Sequence, residues 1–193
     1  MKRIPVVLLL AAFLALAPAA PAGAGGATLG THLGIGTYVP DEGDALTMLA
    51  WPSQSGILLP VVAPALRVGV FLDEARRHHL LFDTGLAYLN SESSSFTNFQ
   101  FMGSYQLHLG GGATQPFLNA GVGMLAIGDD DDSSSCPVLG AGVGVRHVLG
   151  REQGALRAEV RVDQQFESQE DGYTVLNSWT AVSLRLGFDL FLR

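Results

Sequence analysis

The sequence predicts an all-β protein: an eight-stranded antiparallel up-and-down transmembrane β-barrel, preceded by a cleaved signal peptide. Three observations predict this fold. Eight segments alternate apolar and polar residues with a period of two, as strands with two different faces do. The polar face consists of glycine, small polar residues and balanced charges. The connections alternate between short turns and longer polar loops, which is the pattern of membrane barrels.

The first element is a targeting segment. Residues 1–24 have a short basic start, an apolar run to about Ala17, and then small residues and prolines. This order is typical of a secretory signal peptide, and the apolar run is too short for a membrane-spanning helix. Cleavage after Ala22 and cleavage after Ala24 both fit the small-residue pattern. We therefore predict a signal peptide over 1–24 and a barrel over 25–193.

Composition limits the function of the remaining chain. Of the 11 basic residues, two lie in the signal peptide, so nine remain against 18 acidic residues, a balance of −9. This balance excludes the basic surface that nucleic-acid binding requires. Glycine is abundant, at 24 residues, and charged residues make up only 15% of the chain. Cys136 is the only cysteine, so no internal disulfide can form.

Eight strands follow the signal peptide in order. They are predicted over 28–40, 57–72, 79–90, 96–109, 116–128, 137–149, 155–167 and 176–192. Short turns follow the second, fourth and sixth strands, whereas acidic and serine-rich loops follow the others. In an up-and-down arrangement the long loops all lie at one end of the barrel, so that end is acidic. The opposite end carries the arginines Arg76, Arg77 and Arg151.

The seventh strand illustrates the two faces. Leu156, Ala158, Val160 and Val162 alternate there with Arg157, Glu159, Arg161 and Asp163. A soluble barrel would bury the apolar face, and its solvent-exposed face would be rich in lysine and glutamate. The polar face here instead carries glycine, amides and arginine–carboxylate combinations that can neutralise one another in a narrow interior. We therefore predict that the apolar face contacts lipid and the polar face lines the barrel.

This assignment predicts a network of charged side chains inside the barrel. Because eight strands enclose only enough space for side chains, we interpret the network as a packed plug that fixes strand register. A narrow ion path is the alternative. The predicted members are Arg67, Asp83, Arg146, Arg157, Glu159, Arg161, Asp163, Arg185 and Asp189.

Other candidate sites have weaker patterns. The loop residues Asp129, Asp130, Asp131 and Asp132 could bind a divalent ion, but they lack the spacing of a calcium loop, and a solvated loop is the preferred interpretation. The glycine runs lack the helix that a nucleotide loop requires. Adjacent His78 and His79 point to opposite faces of a strand. We therefore predict no catalytic residue, no metal and no cofactor.

Four segments also carry a family resemblance. "QPFLNAGVGMLAIG", "VLGAGVGVRHVLG", "ALRAEVRVDQQF" and the terminal "LRLGFDLFL" resemble the strands of the small eight-stranded outer-membrane β-barrel family of Gram-negative bacteria. The resemblance implies an outer-membrane location, contact with outer-membrane lipid and insertion by the barrel-assembly machinery. The terminal segment, with Arg185, Gly187, Leu190 and Leu192, is similar to the signal that this machinery reads, although many members of the family end on an aromatic residue.

The expected function is a non-enzymatic one. The protein would anchor in the outer membrane, display acidic loops, and have a structural role in the cell envelope or a surface-interaction role with a partner that the sequence does not identify. Two alternatives stay open. One is an outer-membrane lipid-modifying enzyme. The other is a soluble exported β-barrel that binds an apolar ligand inside.

Overall fold

The computed structural model describes residues 26–40, 45–50, 66–90, 95–129, 133–150, 153–170, 173–176 and 178–192. The predicted signal peptide over 1–24 lies outside the described residues. Strands make up most of the described chain. In chain order they are β1 (Ala27–Pro40), β2 (Leu46–Ala50), β3 (Leu66–Phe71), β4 (His78–Asn90), β5 (Ser95–His108), β6 (Thr114–Asp129), β7 (Ser133–Val148), β8 (Gly154–Gln165), β9 (Ser168–Glu170), β10 (Tyr173–Leu176) and β11 (Trp179–Leu192). The described chain contains no helix with the length and apolarity that a membrane crossing needs.

The main sheet closes on itself. Its strands follow the order β11-β8-β7-β6-β5-β4-β3-β1, and β11 pairs antiparallel with β1 along the whole length of both strands, from Ala27↔Leu192 to Pro40↔Trp179. The pairing of β11 with β1 closes the barrel, and closure is how a β-sheet satisfies its backbone groups in hydrocarbon. The predicted eight-stranded antiparallel barrel is therefore confirmed.

The second position round the barrel differs from the prediction. A single strand over 57–72 was expected, after a long loop. Residues 57–65 of that strand lie outside the described residues. The described part, β3 (Leu66–Phe71), pairs with the first part of β1, whereas β2 pairs with Gly34–Tyr38 further along β1. Residues of the expected loop therefore occupy part of the pairing surface that the predicted strand was to fill. Outside the barrel, β9 and β10 form a small separate hairpin.

The two faces of the barrel are inverted relative to a soluble protein. On β8 and β11 the side chains of Val160 and Leu184 are 50% and 44% exposed on the outside, whereas Arg157 and Arg185 are 3% and 2% exposed inside. Outward apolar residues of β11 run from Val182 to Leu192. That run is about 34 Å long at about 3.4 Å per residue, or roughly 24 Å of depth for a strand tilted by about 45°. This depth matches the apolar band of a membrane barrel, which is about 25 Å.

The connections define two ends of the barrel. The turn end holds the short connections after β3, β5 and β7 together with the start of β1 and the end of β11. The loop end holds the other connections. At the turn end, Arg76 has a φ of 54°, a left-handed backbone conformation that lets the chain reverse direction between β3 and β4.

Candidate functional site in the barrel interior

The interior charges are all buried. Each of the nine predicted residues faces inward with at most 3% of its surface exposed. They come from five strands, β3, β4, β7, β8 and β11. The period of two in each strand places them inside, because alternate side chains of a strand point to opposite faces. Their contacts divide them into three groups.

The first group is one ion pair. Arg67 of β3 lies directly opposite Asp83 of β4. The Arg67 Nε donates to Asp83 Oδ1, and its Nη2 donates to Asp83 Oδ2 at 2.6 Å. Two parallel hydrogen bonds of this kind are the strongest arrangement for an arginine and a carboxylate. The pair joins the two strands from inside the barrel.

The second group is centred on Asp163. One carboxylate oxygen of Asp163 accepts from Arg161 Nε at 2.7 Å, and the other accepts from Arg185 Nη2 at 2.6 Å. Glu159 lies 3.6 Å from Arg161 Nη1 and accepts from Asn119 Nδ2 at 2.8 Å. Two arginines and two carboxylates therefore form one neutral cluster that links β6, β8 and β11.

The third group is less well paired. Arg146 donates to the Gln115 side chain, while its Nε and Nη1 have no partner among the described residues. All three guanidinium nitrogens of Arg157 are buried without a hydrogen-bond partner in the described part of the chain. Asp189 leans across Gly30, and its Oδ1 has no hydrogen-bond partner among the residues described.

Glycines on neighbouring strands make room for these charges. A Cβ added at Gly140 would collide with both the Asp163 carboxylate and the Arg161 guanidinium. A Cβ at Gly142 would lie 2.6 Å from Glu159 Oε1. The inward glycines of β7 therefore provide the space into which the long side chains of β8 extend.

An aromatic cluster fills the turn end of the interior. The Phe71 and His79 rings stack at 4.1 Å, and His108 and Phe117 pack beside them with centroids 5.9 Å apart. The guanidinium carbon of Arg146 lies 5.1 Å from the centre of the Phe71 ring, within the range of a cation–π contact. The sequence interpretation missed this cluster. The sequence does contain a sign of it, because Phe71 and Phe117 fall on the same alternate positions of their strands as the inward polar residues.

An apolar cluster lies inside the barrel between the charged residues and the loop end. Met102, Leu125, Cys136 and Val138 are buried against one another. A cavity of about 20 Å³ lies between this cluster and the charged residues Asp83 and Arg185. That volume holds about one water molecule, so the interior is packed at this level.

In contrast to the histidines of the aromatic cluster, His78 and His147 lie on the outer surface. His78 Nδ1 contacts the Tyr105 hydroxyl at 2.5 Å, and His147 Nδ1 contacts the Thr114 hydroxyl at 2.8 Å. As predicted, His78 and His79 point to opposite faces, since His79 Nε2 contacts Thr28 Oγ1 inside the barrel at 3.0 Å.

The described residues include no group of three side chains that could hold a metal ion. Of the acidic loop, Asp130, Asp131 and Asp132 lie outside the described residues, and only the backbone of Asp129 is described.

These observations define the class of the protein. A closed eight-stranded antiparallel barrel with an apolar exterior and a filled, charged interior is the architecture of a small outer-membrane β-barrel. The predicted antiparallel barrel is confirmed, and its apolar exterior is the one that the predicted outer-membrane location requires.

Solved structures with this fold include the crystal structure of Neisserial surface protein A. It superimposes with a TM-score of 0.56 at 13% identity, over 88% of this chain and 99% of that one. The outer-membrane enzyme PagL matches with a TM-score of 0.45 at 15% identity, over 82% of this chain and 97% of that one. The attachment invasion locus protein Ail of Yersinia pestis matches with a TM-score of 0.42 at 10% identity, over 86% of this chain and 99% of that one. No protein-family model matches the sequence. No curated protein matches it either.

Proposed function

We propose that this chain is a non-enzymatic structural protein of the outer membrane, a closed barrel that anchors in lipid and presents its loops at the cell surface. The observation that carries the proposal is the inversion of the two faces. Apolar side chains such as Val160 and Leu186 cover the outside, while the ion pairs of Arg67 and Asp163 occupy the interior. Its lipid partner is then the hydrocarbon of the bilayer, and insertion would require the barrel-assembly machinery.

A filled interior supports a structural role over a channel. Aromatic rings at the turn end, ion pairs in the middle and the Met102–Val138 cluster toward the loop end follow one another along the axis. An eight-stranded barrel is only wide enough for side chains to fill, so these layers leave no continuous path along the axis. The interior network therefore acts as a plug that fixes the register of the strands. Measurement of solute flux into liposomes tests this point: we expect no flux above that of empty liposomes, and a steady ion conductance would contradict the plug.

The exported soluble barrel requires the opposite arrangement of faces. It would need an apolar interior with room for a ligand, whereas the middle of the described interior holds charged side chains. Cell fractionation tests the choice. We expect the protein in the outer-membrane fraction and its release only by detergent. Recovery in the soluble periplasmic fraction would refute the proposal.

The lipid-modifying enzyme is the second alternative. One described contact favours it: His147 and Thr114 form a histidine–hydroxyl pair on the exposed outer face. Nucleophilic catalysis by such a pair also needs a group that orients the histidine. His147 has no second hydrogen-bond partner among the described residues. Mass spectrometry of lipids from cells with and without the protein separates the two functions. We expect identical acyl patterns, and a pattern that changes with the wild type but not with His147→Ala would establish the enzyme.

A further inference from the structure

Among the described residues, the barrel interior carries one positive charge more than its own carboxylates neutralise. Among the described inward residues there are five arginines and four carboxylates. Arg67 with Asp83 is neutral, and Arg161 and Arg185 with Asp163 and Glu159 are neutral. The remainder is a group of two arginines and one carboxylate, namely Arg146, Arg157 and Asp189.

The excess charge is concentrated at Arg157. Its partners across the sheet are Arg146 on β7 and Gly187 on β11, so no carboxylate lies directly opposite. Asp189, two residues beyond Gly187, leans away across Gly30 of β1 and lies within electrostatic range of Arg67 and Arg146. The Arg157 guanidinium lies against Gly187, with all three nitrogens buried and without a partner among the described residues.

Such an arrangement is costly unless something compensates it. Like charges placed directly opposite each other on neighbouring strands destabilise a sheet. A buried charge without a partner costs several kcal/mol. A water molecule would accept hydrogen bonds from Arg157 but would leave the excess positive charge. One monovalent anion would accept the hydrogen bonds and also neutralise the charge. Arg146, directly opposite Arg157 on β7, adds further donors, because its Nε and Nη1 are also buried without a hydrogen-bond partner among the described residues.

We propose that the turn-end half of the barrel interior contains a binding site for one small monovalent inorganic anion, such as chloride, with Arg157 as its main ligand and Arg146 beside it. The anion completes the electroneutrality of the interior. It is thus a structural ligand of the folded barrel.

Bromide is the probe for this site. Crystals of the refolded barrel grown in sodium bromide are measured at the bromine absorption edge. We expect an anomalous peak inside the barrel in contact with the Arg157 guanidinium. The absence of a peak there, with Arg157 paired to Glu159, Asp189 or water instead, would overturn the proposal. This measurement uses the wild-type chain and does not depend on any variant folding.

A stability measurement tests the same site in solution. Unfolding of the detergent-folded barrel is followed in sodium chloride and in sodium gluconate at equal ionic strength. An anion that binds only the folded state raises the unfolding midpoint progressively with its concentration. We expect this halide-dependent shift for the wild type and for Arg77→Met, which removes an exposed arginine at the turn end, and its loss in Arg157→Met. Equal shifts in Arg157→Met and Arg77→Met, or no shift in the wild type, would contradict the site.

Discussion

Arg67 and Asp83 face each other across β3 and β4 inside the barrel, joined by two hydrogen bonds, and both side chains are completely buried. Each side chain provides the opposite charge that neutralises the other. Removal of one partner leaves an unpaired charge in the interior, whereas removal of both leaves only a smaller side-chain volume. This difference gives a direct measure of what the network contributes.

Arg67→Met is therefore expected to cost about 3–5 kcal/mol of unfolding free energy, because the Asp83 carboxylate loses its partner. The double variant Arg67→Met with Asp83→Val is expected to be more stable than Arg67→Met alone. Urea unfolding of the barrel in liposomes, followed by electrophoretic mobility, gives the unfolding free energies of the wild type, of Arg67→Met, of Asp83→Val and of the double variant. Additive costs of the two single substitutions would contradict the pairing.

The glycines of β7 give a second prediction. In Gly140→Ala the new Cβ collides with the Asp163 carboxylate and the Arg161 guanidinium, so the ion cluster must shift. Overpacking of this kind costs about 1–3 kcal/mol. Gly111→Ala is the matched control, because a Cβ at Gly111 meets nothing within 4 Å. We expect Gly111→Ala to change the unfolding free energy by less than about 0.5 kcal/mol. Similar effects at both glycines would show that the space at Gly140 is not required.

A third prediction concerns the lipid face. Val160 is half exposed on the outside of β8, at the middle of the strand. Val160→Arg places a charge in hydrocarbon and is expected to cost about 2–4 kcal/mol in a bilayer. Val160→Leu keeps the face apolar and serves as the control, with little change expected. If the arginine variant folds into liposomes as stably as the leucine variant, the outward face of β8 is not in lipid.

The turn between β3 and β4 gives a prediction about pH. The Asp73 carboxylate accepts hydrogen bonds from the backbone N–H groups of Arg77 at 2.9 Å and His78 at 2.8 Å. Desolvation, which by itself raises the pKa of Asp73, is outweighed by these bonds, and the pKa is lowered. The carboxylate therefore binds fewer protons in the folded state. Its contribution to stability is complete above the ordinary pKa and is lost as the pH falls through the lowered value.

Asp73→Ala should accordingly cost about 0.5–1.5 kcal/mol at pH 7. The difference from the wild type should stay constant down to about pH 5 and shrink below about pH 4. Unfolding curves of both proteins at pH 7, 5 and 3 measure it, and Glu74→Ala in the same turn is the control. A difference that persists unchanged at pH 3 would contradict a role for the ionised carboxylate.

The sequence was sufficient for the faces of the barrel but not for its pairing. Alternation with a period of two assigns Arg185 and Asp163 to the interior from local sequence alone. Which charges meet depends on how neighbouring strands are displaced and how long side chains lean. Glu159 lies opposite Arg185 in the register, yet Arg185 bonds to Asp163. No pattern within one strand contains that information.

The same limit explains the aromatic cluster and the second strand. The rule that inward positions are polar does not hold for Phe71 and Phe117, which pack inside at the turn end with His79. They point inward because alternate residues of a strand face the same side along its whole length, including its ends. The pairing of Leu46–Ala50 with Gly34–Tyr38 of β1 was likewise not predicted, because the sequence predicts that segment to be part of a long polar loop.

The central claim is that the apolar face meets hydrocarbon. A nitroxide label at Val160→Cys, in a Cys136→Ser background, tests it most directly in liposomes, with Gly111→Cys at the turn end as the water-exposed reference. We predict that the Val160 label is relaxed strongly by oxygen, which concentrates in the bilayer, and hardly by a water-soluble nickel complex, with the reverse at Gly111. Equal access of the nickel complex to both labels would contradict the claim.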